Sequence, residues 1–205
     1  MKISYGITVH NEAEELKRLL NILTDKIDKE DEIVICIDGN DVKVEAVLGE
    51  YLSENEAVVY KRKLDGDFAS QKNSVIENST GDYIFHIDAD EYPSDGLLEY
   101  VKPILESNDI DLIWVPRVNT VDGITEQHIQ QWGWRVSDAG WVNYPDYQAR
   151  IFKRHKDIKW IKPVHEIISG ANTYSHLPPN ETLSLYHPKT IVKQEKQNKL
   201  YESMI

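Results

Sequence analysis

Asp88-Ala89-Asp90 sets two carboxylates one residue apart at the exit of an apolar run, residues 83–87. Carboxylates are hard oxygen ligands that suit Mg²⁺ or Mn²⁺, ions that share their shell with substrate phosphates and offset the charge on a departing diphosphate. Acidic pairs at strand ends are also common as solvated turns, so position has to decide between the two. A second cluster, Asp67-Phe68-Ala69-Ser70-Gln71-Lys72-Asn73, lies about one helix upstream. Its plain reading is a helix capped by Asp67; its functional reading makes Lys72 and Asn73 pocket-lining groups near a nucleotide. A third is Val164-His165-Glu166. His165 could complete a metal shell begun by Asp88 and Asp90, with Glu166 facing an acceptor hydroxyl as general base. His187 is a rival for the same ligand role. His86, His128, His155 and His176 have no evident partner and read as structural or exposed.

The elements that must position these groups alternate in the first half. Residues 2–9 read as a strand, with Asn11 where a helix cap is expected. Residues 12–23 carry Leu16, Leu19, Leu20 and Leu23 at helical spacing. Residues 32–38 form a β-branched run of the kind found in buried parallel strands. A helix over 42–52, a strand over 57–62, a helix over 68–78 and a strand over 83–87 follow. This order predicts a doubly wound α/β sheet, which collects ligands at the carboxyl ends of its strands. The polar clusters His10-Asn11-Glu12, Asp38-Gly39-Asn40-Asp41 and Asp88-Ala89-Asp90 all fall there, and this placement raises the acidic pair above a chance turn. Beyond about residue 111 the pattern loosens. Strands are expected at 111–117, 148–153 and 183–186, aromatic residues crowd 132–147, and the lysine- and glutamine-rich tail from 191 reads as a solvated helix. Trp132, Trp134 and Trp141 suit either a core or the apolar faces of sugar rings.

With 205 residues the chain fits a single domain, with a nucleotide-binding half of about 1–90, an acceptor-binding half of about 91–190 and a helical tail over 191–205. Its net charge of −12 argues against a sequence-independent grip on nucleic acid. A phosphate-bearing ligand stays compatible with that charge when a cation mediates. The one cysteine, Cys36, reads as a buried hydrophobe. No apolar run reaches the ~18 residues of a membrane helix, and a reducing cytoplasmic setting is expected.

Taken in order, these segments resemble the family 2 glycosyltransferases of the GT-A fold. Ile7-Thr8-Val9-His10-Asn11-Glu12 is similar to that family's opening strand, with histidine where tyrosine is usual. Ile37-Asp38-Gly39 is similar to its second strand end, Asp88-Ala89-Asp90 matches its DXD motif, and Gln148-Ala149-Arg150-Ile151-Phe152 with Trp160 and Val164-His165-Glu166 is similar to the later half of a soluble, non-processive subgroup. The resemblance spans about residues 3–187. It implies a Rossmann-like mixed sheet flanked by helices. It also implies inverting transfer from a nucleoside diphosphate sugar, most often a UDP sugar, to a hydroxyl acceptor such as a glycan, with Mn²⁺ or Mg²⁺. Thr8, Glu12 and Asp38 would hold the nucleotide, with His10, Asn40, Lys72 and Asn73 as further contacts. Asp90 would bind the metal, and Asp88 the metal or the ribose.

The sequence departs from the family in lacking the glutamate-aspartate pair that supplies its base and the glutamine-arginine-tryptophan motif of processive synthases. Glu166 is then the first candidate base, ahead of Asp138 and Asp146. Compact domains of this kind also occur as parts of larger glycosylation proteins. A sugar nucleotidyltransferase would share the sheet and the aspartates, but it needs a glycine-rich basic loop after the first strand. Here that loop is the acidic Glu12-Ala13-Glu14-Glu15. A degenerate transferase acting as a carbohydrate-binding module is the non-catalytic alternative.

Overall fold

The computed structural model describes residues 1–204, with side chains described through residue 199. The expected helical tail forms α6 (Ile191–Met204), and Ile205 lies outside the described residues. The first half alternates as its sequence predicts: β1 (Ile3–Val9), α1 (Ala13–Lys26), β2 (Glu32–Ile37), α2 (Val42–Leu52), β3 (Val58–Lys61), α3 (Phe68–Glu77) and β4 (Tyr83–Asp88). Next come β5 (Tyr92–Pro93), α4 (Asp95–Ser107), β6 (Leu112–Val115), β7 (Arg117–Asp122), α5 (Glu126–Trp132), β8 (Gln148–Lys153), β9 (Lys159–Ile161), β10 (Ile167–Ser169), β11 (Tyr174–His176) and β12 (Leu185–Thr190).

A seven-stranded sheet in the order β11-β6-β8-β4-β1-β2-β3 forms the centre. β4, β1, β2 and β3 are parallel, and β8 enters antiparallel between β4 and β6. Alternation along the strands decides which face each residue serves. Ile3, Tyr5, Ile7 and Val9 of β1 join Ile33, Ile35 and Ile37 of β2 and Phe85 and Ile87 of β4 on one face. There they bury Leu16, Leu19, Leu20 and Leu23 of α1, Val44 and Leu48 of α2, and Leu97, Val101 and Leu105 of α4. Each such leucine contributes about 1.5–3 kcal/mol by leaving water. α3 covers the opposite face, where Val34, Cys36 and Val75 pack together and Ala69, Ile84, Phe152 and Trp160 form a second cluster. α3 lies close to β1, for a Cβ on Gly6 would stand 2.4 Å from Val75 Cγ1. Helices therefore cover both faces, and the fold is the α/β mixed sheet the sequence predicts.

Four local expectations are corrected. Asn11 does not cap α1; Glu12 takes that position, and its carboxylate accepts from the backbone N–H groups of His10 (2.9 Å) and Asn11 (3.0 Å). The strand expected over 111–117 is two strands in different sheets. Pro116 divides them, since it has no N–H to continue a ladder. The strand expected over 183–186 is displaced toward the C-terminus, because Glu181–Leu183 close a 3₁₀ turn capped by Asn180 and β12 begins only at Leu185. The tail helix is not wholly solvated, because Lys193 turns inward to carboxylates of the domain.

A small sheet, β5-β12-β7, stands beside the carboxyl edge of the main one. β12 runs parallel to β7 with Asn119 opposite His187, and antiparallel to β5, which starts one residue after Glu91. This arm carries residues from far along the chain to the acidic loop. Among the described residues, no helix is long and apolar enough to cross a membrane.

Candidate active site

The order β4-β1-β2 brings the three polar strand ends side by side. Thr8 is the register partner of Asp88, and its Oγ1 donates to Asp88 Oδ1 at 3.3 Å. Asp38 N–H donates to the Val9 carbonyl (2.8 Å), placing Asp38 beside the end of β1. Asp38 Oδ1 accepts from Leu64 N–H (3.0 Å), while His10 Nδ1 stands 2.8 Å from the Asp38 carbonyl and 3.3 Å from its carboxylate. Asn40 accepts from Lys61 Nζ at 2.8 Å. Thr8, His10, Glu12, Asp38 and Asn40 thus lie along one edge.

Because β8 runs antiparallel to β4, its first residues reach the end where Asp88 sits. Arg150, 3 % exposed, donates from Nη2 to Asp88 Oδ2 (2.5 Å) and to Glu91 Oε1 (2.6 Å). Glu91 is wholly buried and also accepts from Arg117 Nη1 (2.7 Å). Arg117 turns its other nitrogens to Asp146 Oδ2 (3.0 and 2.6 Å), and Asn119 Nδ2 donates to the same oxygen (2.9 Å). Asn119 Oδ1 lies 2.7 Å from His187 Nδ1, and His187 Nε2 lies 3.3 Å from Asp90 Oδ2. The path Asp88–Arg150–Glu91–Arg117–Asp146–Asn119–His187–Asp90 therefore closes on itself through the Asp88-Ala89-Asp90 loop.

Charge within this ring follows from its neighbours. Burial alone would raise the Asp88 carboxyl, but Arg150, Lys72 and His86 outweigh it and hold Asp88 well below the usual carboxylate range. Asp90 is likewise opposed by burial yet held low by His187, Lys189 and Lys193. His187 is lowered chiefly by burial, so the neutral ring is favoured. His86, beneath Asp88 and fully buried, is pushed down to about 4 by desolvation.

Not every expected residue joins the ring. Lys72 is buried, pairs with Glu166 Oε1 at 2.7 Å, and sits 3.7 Å from Asp88 and 4.6 Å from the centre of the Trp160 ring. Glu166 is therefore linked to the site through Lys72. Asn73 uses both ends of its amide on the main chain of Trp160, at 2.9 Å each, and so pins β9 to α3. Asp67 caps α3, accepting from Ser70 N–H at 2.9 Å. Asp146 accepts four hydrogen bonds, from two nitrogens of Arg117, from Asn119 and from Gln148. Asp138 is exposed beside the 136–142 bridge. His165 is exposed, at positive φ (55°), in the turn before β10. The imidazole placed against Asp90 belongs to His187.

Arg150, Glu91, Arg117, Asn119 and Lys193 were not singled out for a site role from sequence. Only for Glu91, which directly follows Asp90, was a local signal present. Arg150, Arg117 and Asn119 arrive by strand pairing and Lys193 by the packing of α6 on β12, which a linear reading does not contain. Trp132, Trp134 and Trp141 are neither core nor fully exposed. Trp132 stacks on His128 (5.1 Å) and tilts against Trp134 (4.6 Å), and Trp141 packs on Tyr144 (4.8 Å).

Among the described residues, no three His, Cys, Asp or Glu side chains converge as a complete metal cage. Asp90 and His187 nevertheless fit two positions of a six-coordinate ion. Ligands at right angles with bonds of about 2.1 Å lie about 3 Å apart, close to the 3.3 Å between Asp90 Oδ2 and His187 Nε2. Such ions normally complete their shell with water and substrate phosphates.

A parallel sheet with carboxylates at the ends of β1, β2 and β4, an antiparallel β8 and a small sheet closing over the acidic loop defines a GT-A-type domain. The chain belongs to glycosyl transferase family 2, whose profile matches residues 4–176. It is 28 % identical over 191 residues to the SPbeta prophage-derived glycosyltransferase SunS of Bacillus subtilis (strain 168), a match covering 90 % of this chain and 39 % of that protein. The chain thus spans about two-fifths of the length of this curated relative. The crystal structure of S. aureus TarS 1-349 in complex with UDP-GlcNAc superposes with a TM-score of 0.65 at 16 % identity, covering 92 % of this chain and 59 % of that one. The mannosyltransferase PcManGT from Pyrobaculum calidifontis, in complex with GDP-Man and Mn²⁺, gives a TM-score of 0.50 at 13 % identity over 56 % of this chain and 35 % of that one.

Proposed function

We propose that the chain transfers a sugar from a nucleoside diphosphate sugar, with a UDP sugar as first choice, to a hydroxyl acceptor such as a glycan. The observation that carries this reading is the convergence of Asp88, Asp90 and His187 beside Thr8 and Asp38 at the carboxyl edge of the sheet. The fold shared with a TarS structure holding UDP-GlcNAc supports the choice of donor.

Thr8, Glu12 and Asp38 bind the nucleotide, with His10 and Asn40 at the rim. Asp90 and His187 would hold a Mn²⁺ or Mg²⁺ ion, and a PcManGT structure with bound Mn²⁺ supports a divalent cation. Asp88, whose outer oxygen is tied to Arg150, keeps the loop in place and faces the ribose. When bound, the ion offsets the negative charge that gathers on the departing diphosphate. The acceptor oxygen attacks the anomeric carbon from the side opposite the diphosphate, so one C–O bond forms as the other breaks and the configuration inverts. Glu166 takes the proton. Asp138 lies outside the network, and Asp146 already accepts four hydrogen bonds, which leaves it little basicity. The single buried thiol suits a reducing compartment, and we place the reaction in the cytoplasm.

Calorimetric titration of nucleoside diphosphates with and without Mn²⁺, on wild type and Asp90→Ala, tests the reading. One nucleotide should bind in a metal-dependent manner and lose that dependence in Asp90→Ala. Metal-independent binding unaffected by the substitution would overturn the metal site. No nucleotide binding at all would favour the carbohydrate-binding module.

A further inference from the structure

Asn119 sits at the junction of three parts of the site. Its Nδ2 donates to Asp146 Oδ2 (2.9 Å), its Oδ1 meets His187 Nδ1 (2.7 Å), and its carbonyl accepts from Val142 N–H (2.9 Å), which ties β7 to the aromatic segment. A carboxylate can only accept, so Asp146 fixes which end of the amide faces it. That leaves an oxygen toward His187, and an oxygen can only receive a proton from Nδ1. The Nδ1 hydrogen is thus committed to Asn119, and it is Nε2, 3.3 Å from Asp90 Oδ2, that gives up its proton and offers a lone pair when a cation binds. Two lone-pair donors then face each other across a gap that a divalent cation fits.

We propose that Asn119 is a positioning residue that locks His187 into the tautomer able to ligate a divalent cation jointly with Asp90. The inference rests on the transferase reading above and adds to it a residue that touches neither metal nor sugar. It follows from register, since Asn119 and His187 are paired neighbours on parallel strands β7 and β12. A partner that orients a ligating imidazole typically changes metal affinity 10–100-fold when removed.

The test measures Mn²⁺ affinity by electron paramagnetic resonance of the free ion, with UDP present, alongside thermal unfolding. Asn119→Leu should weaken Mn²⁺ binding about 10–100-fold. Asn119→Gln, which keeps an amide N–H for Asp146 and an amide oxygen for Nδ1, should restore part of it. Asn119→Leu binding Mn²⁺ like wild type, while His187→Ala loses it, would overturn the role of Asn119 and leave the transferase site standing. Asp90→Ala and His187→Ala both binding Mn²⁺ like wild type would remove the site itself, and the proposal with it. If Asn119→Leu does not fold, ¹⁵N NMR of the His187 ring in the wild-type protein decides. A ring protonated at Nδ1 supports the lock, and a neutral ring with its one proton on Nε2 overturns it.

Discussion

The two edges of the parallel sheet both carry carboxylates held below their usual range, yet they are built for different ends. At the amino edge, Glu32 accepts from Ser4 Oγ (2.5 Å), Lys2 Nζ (2.8 Å), Thr80 Oγ1 (2.8 Å) and the backbone N–H groups of Thr80 and Gly81. Burial opposes its ionisation, but these donors prevail and hold it at about 2. Four of the five donors are backbone or short side chains fixed by β1 and the turn before β4, so the charge is saturated within the fold. At the carboxyl edge, Asp90 is balanced by the buried His187 and Lys189 and by Lys193, a half-buried lysine on the last helix, 3.4 Å away. A depressed carboxylate therefore does not by itself mark a site. The mark is a carboxylate whose counter-charge can be exchanged for that of a ligand.

Arg150→Met should have the largest effect on stability. It leaves Asp88 and Glu91 without their shared cation, and breaking a buried pair from one side costs about 3–5 kcal/mol. Urea denaturation measures this, and a loss below about 1 kcal/mol would mean Arg117 and Lys72 compensate. Glu32→Gln and Asp90→Asn then separate the two edges. Glu32→Gln should cost about 1–3 kcal/mol by leaving buried donors unpaired and leave Mn²⁺-dependent UDP binding intact. Asp90→Asn should abolish that binding and also lower stability, because it leaves His187, Lys189 and Lys193 without their counter-charge; the two edges are told apart by the binding. If both substitutions act alike, the contrast between a saturated and an exchangeable carboxylate is wrong.

Acid sharpens the same comparison. His86 is lowered in the fold to about 4 from 6.5, so the unfolded chain takes up its proton first and stability falls as pH drops through that interval. Glu32, Asp88, Asp90, Glu91 and Asp146 are lowered in the fold. Their contribution is fully present above the unfolded carboxylate pKa of about 4 and is lost as pH falls toward the folded values. Stability measured in urea should thus decline from about pH 6.5 downward. The deficit of Glu32→Gln relative to wild type should shrink as pH approaches the folded Glu32 value of about 2.

How much of this could be read from the sequence follows from which contacts are local. β1 to β4 were legible because burial between two helical layers demands near-continuous apolar runs in the strands, and stripes such as Leu16, Leu19, Leu20 and Leu23 in the helices. The acidic strand ends were legible for the same reason, since a strand exit is a local event. α4 went unread although Leu97, Val101 and Leu105 line one side, and Pro103 within it is a residue helices usually exclude. The cations were not legible in their role. Arg117 and Arg150 stand in strands whose local pattern gives no hint of a carboxylate partner, and only the insertion of β8 between β4 and β6, with Pro116 sending β7 to the small sheet, brings them to Asp88 and Glu91. His187 was legible as an alternative to His165. Choosing between them required the pairing of β12 with β5 and β7.

Lys193 gives the smallest effect and the most direct probe of exchange. Its Nζ bridges Glu15 (3.1 Å) and Asp90 (3.4 Å), and the side chain retains 34 % of its exposure, so its hold on Asp90 is partly screened by water. If this ammonium stands where a divalent cation would bring its charge, the two compete. Lys193→Met should then strengthen Mn²⁺ binding about two- to five-fold, the equivalent of a partly exposed ion pair worth under 1 kcal/mol, with thermal stability nearly unchanged. Weaker Mn²⁺–UDP binding in Lys193→Met would reverse that reading, because it would place the lysine on the diphosphate, acting with the ion. Measuring Mn²⁺ alone and Mn²⁺ with UDP separates the two. Competition acts on the ion in both titrations, whereas a lysine that binds phosphate matters only when the nucleotide is present.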